Sequence, residues 1–202
     1  MVIYFIRHAE TEANVANIIQ GQADSNLTYL GKIKAQQMSY FFSNKSINVI
    51  YSSPIKRALD TARMIKASCG LESILIKDEL KEINLKPWEL KRISTLDLSD
   101  SLSSYKTYKT NPSMFTPIYG ESLKNVYDRI VKFYLKLKMN HDENDNIVVV
   151  THSVVIRCLL IFLEEKTLDD IWKYELPPSS ITNVKEIQGK HKLEFIGYLV
   201  EN

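Results

Sequence analysis

Four short apolar runs, Val2 to Ile6, Ile47 to Tyr51, Ser73 to Lys77 and Ile147 to Thr151, alternate with stretches of helical periodicity. That alternation constrains the fold more than any other property of the chain. Each run is rich in β-branched or aromatic residues and too short for a helix, so each reads as a buried strand. Between them, Thr28 to Phe42 opens on a capping-type threonine and sets Leu30, Ile33, Gln37, Tyr40 and Phe41 on overlapping turns. Pro54 to Ala67 has proline in its first turn and an apolar stripe of Ile55, Leu59, Ala62 and Ile65. Ser122 to Met139 repeats the pattern with Leu123, Val126, Ile130, Phe133 and Leu137, and Val154 to Leu163 is mostly apolar. Strands separated by helices pair in parallel. The expected fold is therefore α/β, a three-layer sandwich with a mostly parallel central sheet flanked by helices. Ile181 to Ile187 and Leu193 to Val200 alternate more and are expected to pair as neighbours around "QGKHK".

A chain of 202 residues suits one core. No internal repeat and no Gly/Ser linker divides it, so residues 1–202 are expected to form a single domain. The irregular stretch is 91–119, polar, rich in Ser, Lys and Tyr, with Pro112 and Pro117 near its end. A long insertion in a compact domain is expected to be a lid or specificity loop, here with a short helix around Leu96 to Tyr105.

Composition narrows the partners. A formal charge of +2 is too small to imply nucleic acid, and "SYKTYKTNP" is a short basic-aromatic segment. No apolar stretch is long enough to cross a bilayer, and the start lacks a basic region followed by an apolar core and a cleavage site. A cytoplasmic, soluble protein without nucleic-acid or membrane partners is expected. Cys69 and Cys158, far apart and in apolar surroundings, read as reduced core residues.

The polar residues that interrupt this pattern fall at the strand ends. Arg7 and His8 close the first strand, Ser52 to Pro54 the second with Arg57 soon after, Glu82 lies beyond the third, and His152 closes the fourth. In an open α/β sheet the carboxyl ends of parallel strands border the ligand crevice, with helix amino termini pointing into it. Two arginines there match a phosphate dianion. A neutral histidine can attack phosphorus, a second can donate to the phosphoryl oxygens, and a carboxylic acid of raised pKa can protonate the leaving oxygen and then activate water. Singly, His8 reads more readily as structural, and Arg57 and Glu82 as solvated surface residues. His152, between two apolar runs, needs a partner, and the joint placement of all five favours a site. A metal site built from His8, Glu10, Asp24, Glu82 and His152 is the competing reading, but Arg7 and Arg57 would repel a divalent cation. No metal and no cofactor are expected.

These residues lie in strings that resemble the histidine phosphatase superfamily, the branch of phosphoglycerate mutase-like proteins. "RHAET" is similar to its signature, and "GQADSNLTYLGKIKAQ", "IYSSPIKRALDTA", "LKEINLKPWE", "YGESL" and "VVVTHSVVIR" continue the match in order. The resemblance implies a phosphomonoester hydrolase acting through a phosphohistidine on a small phosphorylated metabolite. His8 would be the nucleophile, Arg7, Arg57 and His152 the phosphate pocket, and Glu82 the general acid and base. Asn14, Gln20, Gly21 and Ser153 would be further phosphate or substrate contacts. Ala9, Lys86, Leu90 and Ser153 stand where the family often has glycine. "LKEINLKPWE" matches the phosphatase form better than the mutase form, which remains the alternative activity; a non-catalytic phosphate-binding or scaffold protein is the alternative of another class. The resemblance also brings a homodimer as an expected assembly.

Overall fold

The computed structural model describes residues 1–96, 98, 99 and 101–200. Among these, one sheet contains β1 (Val2–Arg7), β2 (Val49–Ser52), β3 (Leu75–Ile76), β4 (Asn146–Thr151), β5 (Ile181–Ile187) and β6 (Lys190–Tyr198), in the order β3-β2-β4-β1-β5-β6. The first four are parallel, and β5 and β6 are antiparallel additions beside β1. The turn between β5 and β6 uses Gln188 and Gly189, both at positive φ, at the predicted "QGKHK".

The helices are α1 (Glu12–Val15), α2 (Tyr29–Ser43), α3 (Lys56–Cys69), α4 (Tyr105–Thr110), α5 (Leu123–Asn140) and α6 (Ser153–Leu163). Successive strand side chains point to opposite faces, and the buried residues divide accordingly. Ile3, Phe5, Ile147 and Val149 pack with Ile130 and Phe133 of α5 and Leu159 of α6. Ile6, Ile50, Val148 and Val150 pack with Met38 and Phe42 of α2 and Ala58 and Ile65 of α3. Helices on both faces complete the three layers. Ile147 to Val150 of the central β4 are wholly inaccessible to solvent, and each such side chain contributes about 1.5–3 kcal/mol by leaving water. No helix among the described residues is long and apolar enough to span a membrane.

Local chemistry sets most element ends where the sequence reading places them. Thr28 caps α2 by accepting the Gly31 N–H at 2.8 Å. Several boundaries differ: β2 begins at Val49 rather than Ile47, and β6 is Lys190–Tyr198 rather than Leu193 to Val200. β3 shrinks to two residues, and α3 begins at Lys56 rather than Pro54. The expected helix at Leu96 to Tyr105 is replaced by a 3₁₀ turn at Ile93–Thr95 and by α4, which starts where that helix was expected to end; positions 97 and 100 of it lie outside the described residues. The serines explain the shift. Ser101 Oγ accepts the Ser103 N–H at 3.3 Å and Ser104 Oγ accepts the Thr107 N–H at 3.1 Å, which favours a turn and then a cap. Within 91–119, Leu96, Tyr108 and Phe115 are buried against the body of the protein. Trp88, Tyr108 and Phe115 form an aromatic cluster, and Trp172 Nε1 donates to the Tyr108 carbonyl at 2.9 Å. Cys158 is buried and Cys69 half-buried, and both are free thiols.

Candidate active site

The parallel register of β1 and β4 aligns Arg7 with Thr151, so the next residues, His8 and His152, leave the sheet side by side. Their rings lie 5.2 Å apart between centroids. β2 ends one strand further on, and the Ser53 hydroxyl lies 2.8 Å from His152 Nε2. Ser53 Oγ accepts the Ile55 N–H, and His152 Nε2 is the acceptor in reach of its own proton; with Ser53 donating, His152 Nδ1 is the protonated nitrogen. That Nδ1 has no partner among the described residues.

His8 is held with opposite polarity. Its Nδ1–H donates to the Ala9 carbonyl at 2.8 Å, an oxygen that can only accept, so Nε2 carries the lone pair. Arg57 Nε donates to that Nε2 at 3.2 Å. The rest of the Arg57 fork is pinned, with Nη1 on the Ala23 carbonyl and Nη2 on the Gly21 carbonyl, both at 2.7 Å. Thr61, one turn along α3, accepts the Ala9 N–H at 3.0 Å and donates to the Arg57 carbonyl at 2.8 Å, tying the end of β1 to α3. Burial, reinforced by Arg57 and Arg7, holds His8 well below the usual histidine pKa. Burial does the same to His152, again with Arg57. Both rings are neutral near pH 7.

Glu82 follows the 3₁₀ turn Asp78–Leu80, whose end is anchored by Thr151 Oγ1 donating to the Leu80 carbonyl at 2.7 Å. Its carboxylate accepts the Ile83 N–H at 3.0 Å and reaches the Val154 N–H at 3.4 Å, on the first turn of α6. Burial raises its pKa; the Ile83 hydrogen bond and the Arg57 charge oppose this only in part. Arg7 donates through Nη1 to the Leu176 carbonyl, and its Nε has no partner among the described residues. Burial and the neighbouring Arg157 bring its pKa down to about 10.

These groups border a crevice of about 300 Å³. Arg7, His8, Asn14, Gln20, Gly21, Arg57, Glu82 and Ser153 all line it, while His152 sits fully buried behind His8. Gly21 is needed for its shape. Its φ is +50° and a Cβ there would meet Glu89 Oε1 at 2.3 Å. Asn14 Oδ1 accepts from Thr11 in the capping box of α1, and Gln20 Oε1 lies 3.0 Å from the Thr11 hydroxyl, so Thr11 orients both amides. The metal candidates are not brought together. Glu10 accepts from the Thr28 hydroxyl and Asp24 from the Lys56 N–H, and no three His, Cys, Asp or Glu side chains cluster among the described residues. The Asp24 contact also occupies the start of α3, whereas at the start of α6 the N-cap residue His152 makes no side-chain cap bond and Glu82 reaches only the Val154 N–H.

Ala9 replaces the signature glycine without entering the crevice, because its side chain packs with Leu27 and Ala35 on the α2 side. Leu90 takes φ +65°, a conformation natural to the glycine it replaces. The far wall of the crevice is made by Tyr105, Tyr108 and Lys109 of α4, within the stretch expected to carry specificity, and by Trp172 and Arg157 of α6, which the sequence reading did not single out. A signal for Arg157 was present, since it is the one charged residue in "SVVIRCLLIFL", and the argument that His152 needs a partner applies equally to it.

A crevice with two half-immobilised guanidiniums, a neutral histidine lone pair and a buried carboxyl group, at the carboxyl edge of a parallel sheet, defines an α/β protein built to handle phosphate. The sequence pattern of the histidine phosphatase superfamily (branch 1) matches residues 3–198, and the chain belongs to that family. Among curated relatives, phosphoglycerate mutase-like protein 4 of Arabidopsis thaliana is 34% identical over 160 residues, 78% of this chain and 68% of its own. Phosphoserine phosphatase 1 of Hydrogenobacter thermophilus is 30% identical over 172 residues, 85% of this chain and 80% of its own. Among solved structures, a histidine-to-alanine variant of phosphoserine phosphatase from Entamoeba histolytica, in complex with phosphoserine, superposes with a TM-score of 0.85 at 28% identity, over 98% of this chain and 97% of that one.

Proposed function

We propose that the protein is a metal-independent phosphatase of small phosphorylated metabolites that works through a phosphoryl group carried on His8 Nε2. The observation that carries this reading is the locked His8 tautomer: Nδ1 is spent on the Ala9 carbonyl, and Nε2 faces Arg57 in a crevice that attracts anions. In the first step Nε2 bonds to phosphorus as the phosphorus–oxygen bond to the leaving group breaks, and Glu82 in its protonated form, which burial favours, gives that oxygen its proton. In the second, water attacks the phosphohistidine, Glu82 takes the water proton, and the nitrogen–phosphorus bond breaks. Arg57 turns from Nε2 to the phosphate oxygens, Arg7 and the Ser153 N–H at the start of α6 share them, and the unpartnered His152 Nδ1–H stabilises the charge on the transferring group. Asn14, Gln20 and Ser153 complete the substrate contacts, and Gly21 acts through its carbonyl on Arg57. Residues 91–119 supply the specificity wall of what we take to be a single domain.

The similarity to phosphoserine phosphatases supports hydrolysis of this kind. The experiment is phosphate release from a panel of phosphomonoesters, compared with His8→Ala, together with capture of an acid-labile phosphoryl group on His8. Release no greater than that of His8→Ala overturns the proposal. Phosphate moving between positions of a phosphoglycerate with little release would instead identify a mutase, and loss of activity on strong chelation would refute metal independence.

A further inference from the structure

Four tyrosines are buried among the described residues, and three of them spend their hydroxyls inside the protein: Tyr51 on His141 Nε2 at 2.9 Å, Tyr134 on Glu186 and Tyr174 on Glu164. Tyr108, only 4% exposed, is the exception, since its hydroxyl has no hydrogen-bond partner among the described residues. Its ring is wedged edge-on between Trp172 at 4.9 Å and Phe115 at 5.1 Å, centroid to centroid, and its carbonyl accepts the Trp172 Nε1–H at 2.9 Å. The phenol is therefore held where it stands. It borders the crevice beside His8 and Glu82, and of the charges around it Glu82 acts on it most strongly. A buried phenol normally finds a partner for its O–H. Here the open side is the crevice, so the partner is whatever oxygen occupies the space in front of Glu82.

We propose that Tyr108 is a further catalytic residue, whose hydroxyl holds the hydrolytic water beside Glu82 during breakdown of the phosphohistidine. This rests on the phosphatase reading and assigns a group to its second step. In the first step the leaving oxygen needs no such help, because its bonds to phosphorus and carbon already fix it. Water has no covalent tether, and a single hydrogen bond to Glu82 would leave it free to rotate. With Tyr108 donating to one lone pair and Glu82 accepting one proton, the second lone pair is left to face phosphorus. That pair forms the new oxygen–phosphorus bond as the nitrogen–phosphorus bond breaks and its electrons return to His8 Nε2, while Glu82 keeps the proton. Tyr108 retains its own proton throughout. Burial, with the Glu82 charge beside it, keeps the phenol well above the ordinary tyrosine pKa, so it acts only as a donor.

The test compares wild type with Tyr108→Phe, which keeps the ring in its aromatic cluster and removes the hydroxyl alone. Rapid quench with p-nitrophenyl phosphate and phenyl phosphate follows phosphohistidine forming and decaying. The decay constant is expected to fall by about 10–100-fold in the variant, while kcat/KM, which reports formation, stays within about twofold of wild type. Phosphohistidine should then accumulate, p-nitrophenol should appear in a burst of one per active site, and kcat should become the same for both leaving groups. Because the hydroxyl has no partner in the protein, Tm should hold or rise. An unchanged decay constant would overturn the proposal, as would equal losses in kcat and kcat/KM without a burst. So would a fall in Tm of about 2–4 °C, the loss of one internal hydrogen bond in a chain of this length. In each of those cases the wild type still releases phosphate, so the phosphatase reading survives. A wild type that forms no phosphohistidine and releases no phosphate would sink that reading too.

Discussion

At the scale of single residues, protonation decides the outcome. Glu82 must be protonated for the first step and His8 neutral, and the fold pushes Glu82 above its ordinary pKa of 4.5 and His8 well below its ordinary 6.5. Activity therefore falls as pH rises through the elevated Glu82 pKa, and falls as pH drops through the depressed His8 pKa. The expected kcat/KM profile is a bell displaced to the acid side, and Glu82→Gln should abolish its alkaline limb. The same substitution should lower kcat by about 10²–10⁴-fold on alkyl phosphates, with a much smaller loss on p-nitrophenyl phosphate, whose leaving group needs no proton. Stability should move the other way. A carboxyl whose folded pKa is raised loses stability as pH climbs through that value, so at pH 7 Glu82→Gln should raise Tm while activity drops. At this scale Arg7, His8 and His152 stood out in the sequence as polar residues at the ends of apolar runs, whereas Arg57 and Glu82 were picked out only by their joint placement with these. Arg157 carried a signal as the one charge in an apolar helix, but neither it nor Lys109 could be assigned to the crevice, since a helix face does not reveal which strand end it overlooks.

At the scale of elements, the site depends on two short ties. Thr61 joins α3 to the end of β1 through the Ala9 N–H and the Arg57 carbonyl. Thr61→Val leaves a buried donor unpaired and should cost about 1–3 kcal/mol in stability, read by urea unfolding, with a fall in kcat as Arg57 loosens; unchanged kcat would mean that Arg57 is held by its other contacts alone. The second tie is the loop through Gly21, Gln22 and Glu89. Glu89 Oε1 accepts the N–H groups of Gln22 and Leu85 beside the Arg57 anchor. Leu90, next in the chain, holds a left-handed conformation that costs a non-glycine residue about 1–2 kcal/mol. Leu90→Gly should therefore stabilise modestly, the unfolded-state entropy of glycine offsetting about 0.5–1 kcal/mol of the gain. Thermal unfolding would show whether Tm rises. Strands and long helices were readable because their periodicity reports burial. The segment after Lys91 was misread because its helix propensity competes with serine hydroxyls that bond the backbone first.

At the scale of the whole molecule, anion binding and folding are linked, because the phosphate pocket gathers guanidiniums that nothing else fully neutralises. Inorganic phosphate at a hundred times its Kd should stabilise the protein by about 2.7 kcal/mol, which in a chain of this length is about 5 to 10 °C in Tm. Scanning calorimetry in phosphate against chloride of equal ionic strength should show that shift in the wild type and lose it in Arg57→Met; a shift retained in the variant would place the bound anion elsewhere. The sequence alone determined the order of strands and helices, the parallel core and the edge of the sheet where chemistry gathers, because apolar periodicity and strand-end polarity are local properties. Only the tertiary structure decided which nitrogen of His8 is free, that Glu82 is buried rather than solvated, and that α4, α6 and Trp172 close a cationic wall opposite the phosphate pocket. Those outcomes rest on contacts between residues as far apart as 8 and 57, 82 and 154, or 109 and 172. Such pairs meet only once the sheet has set its register.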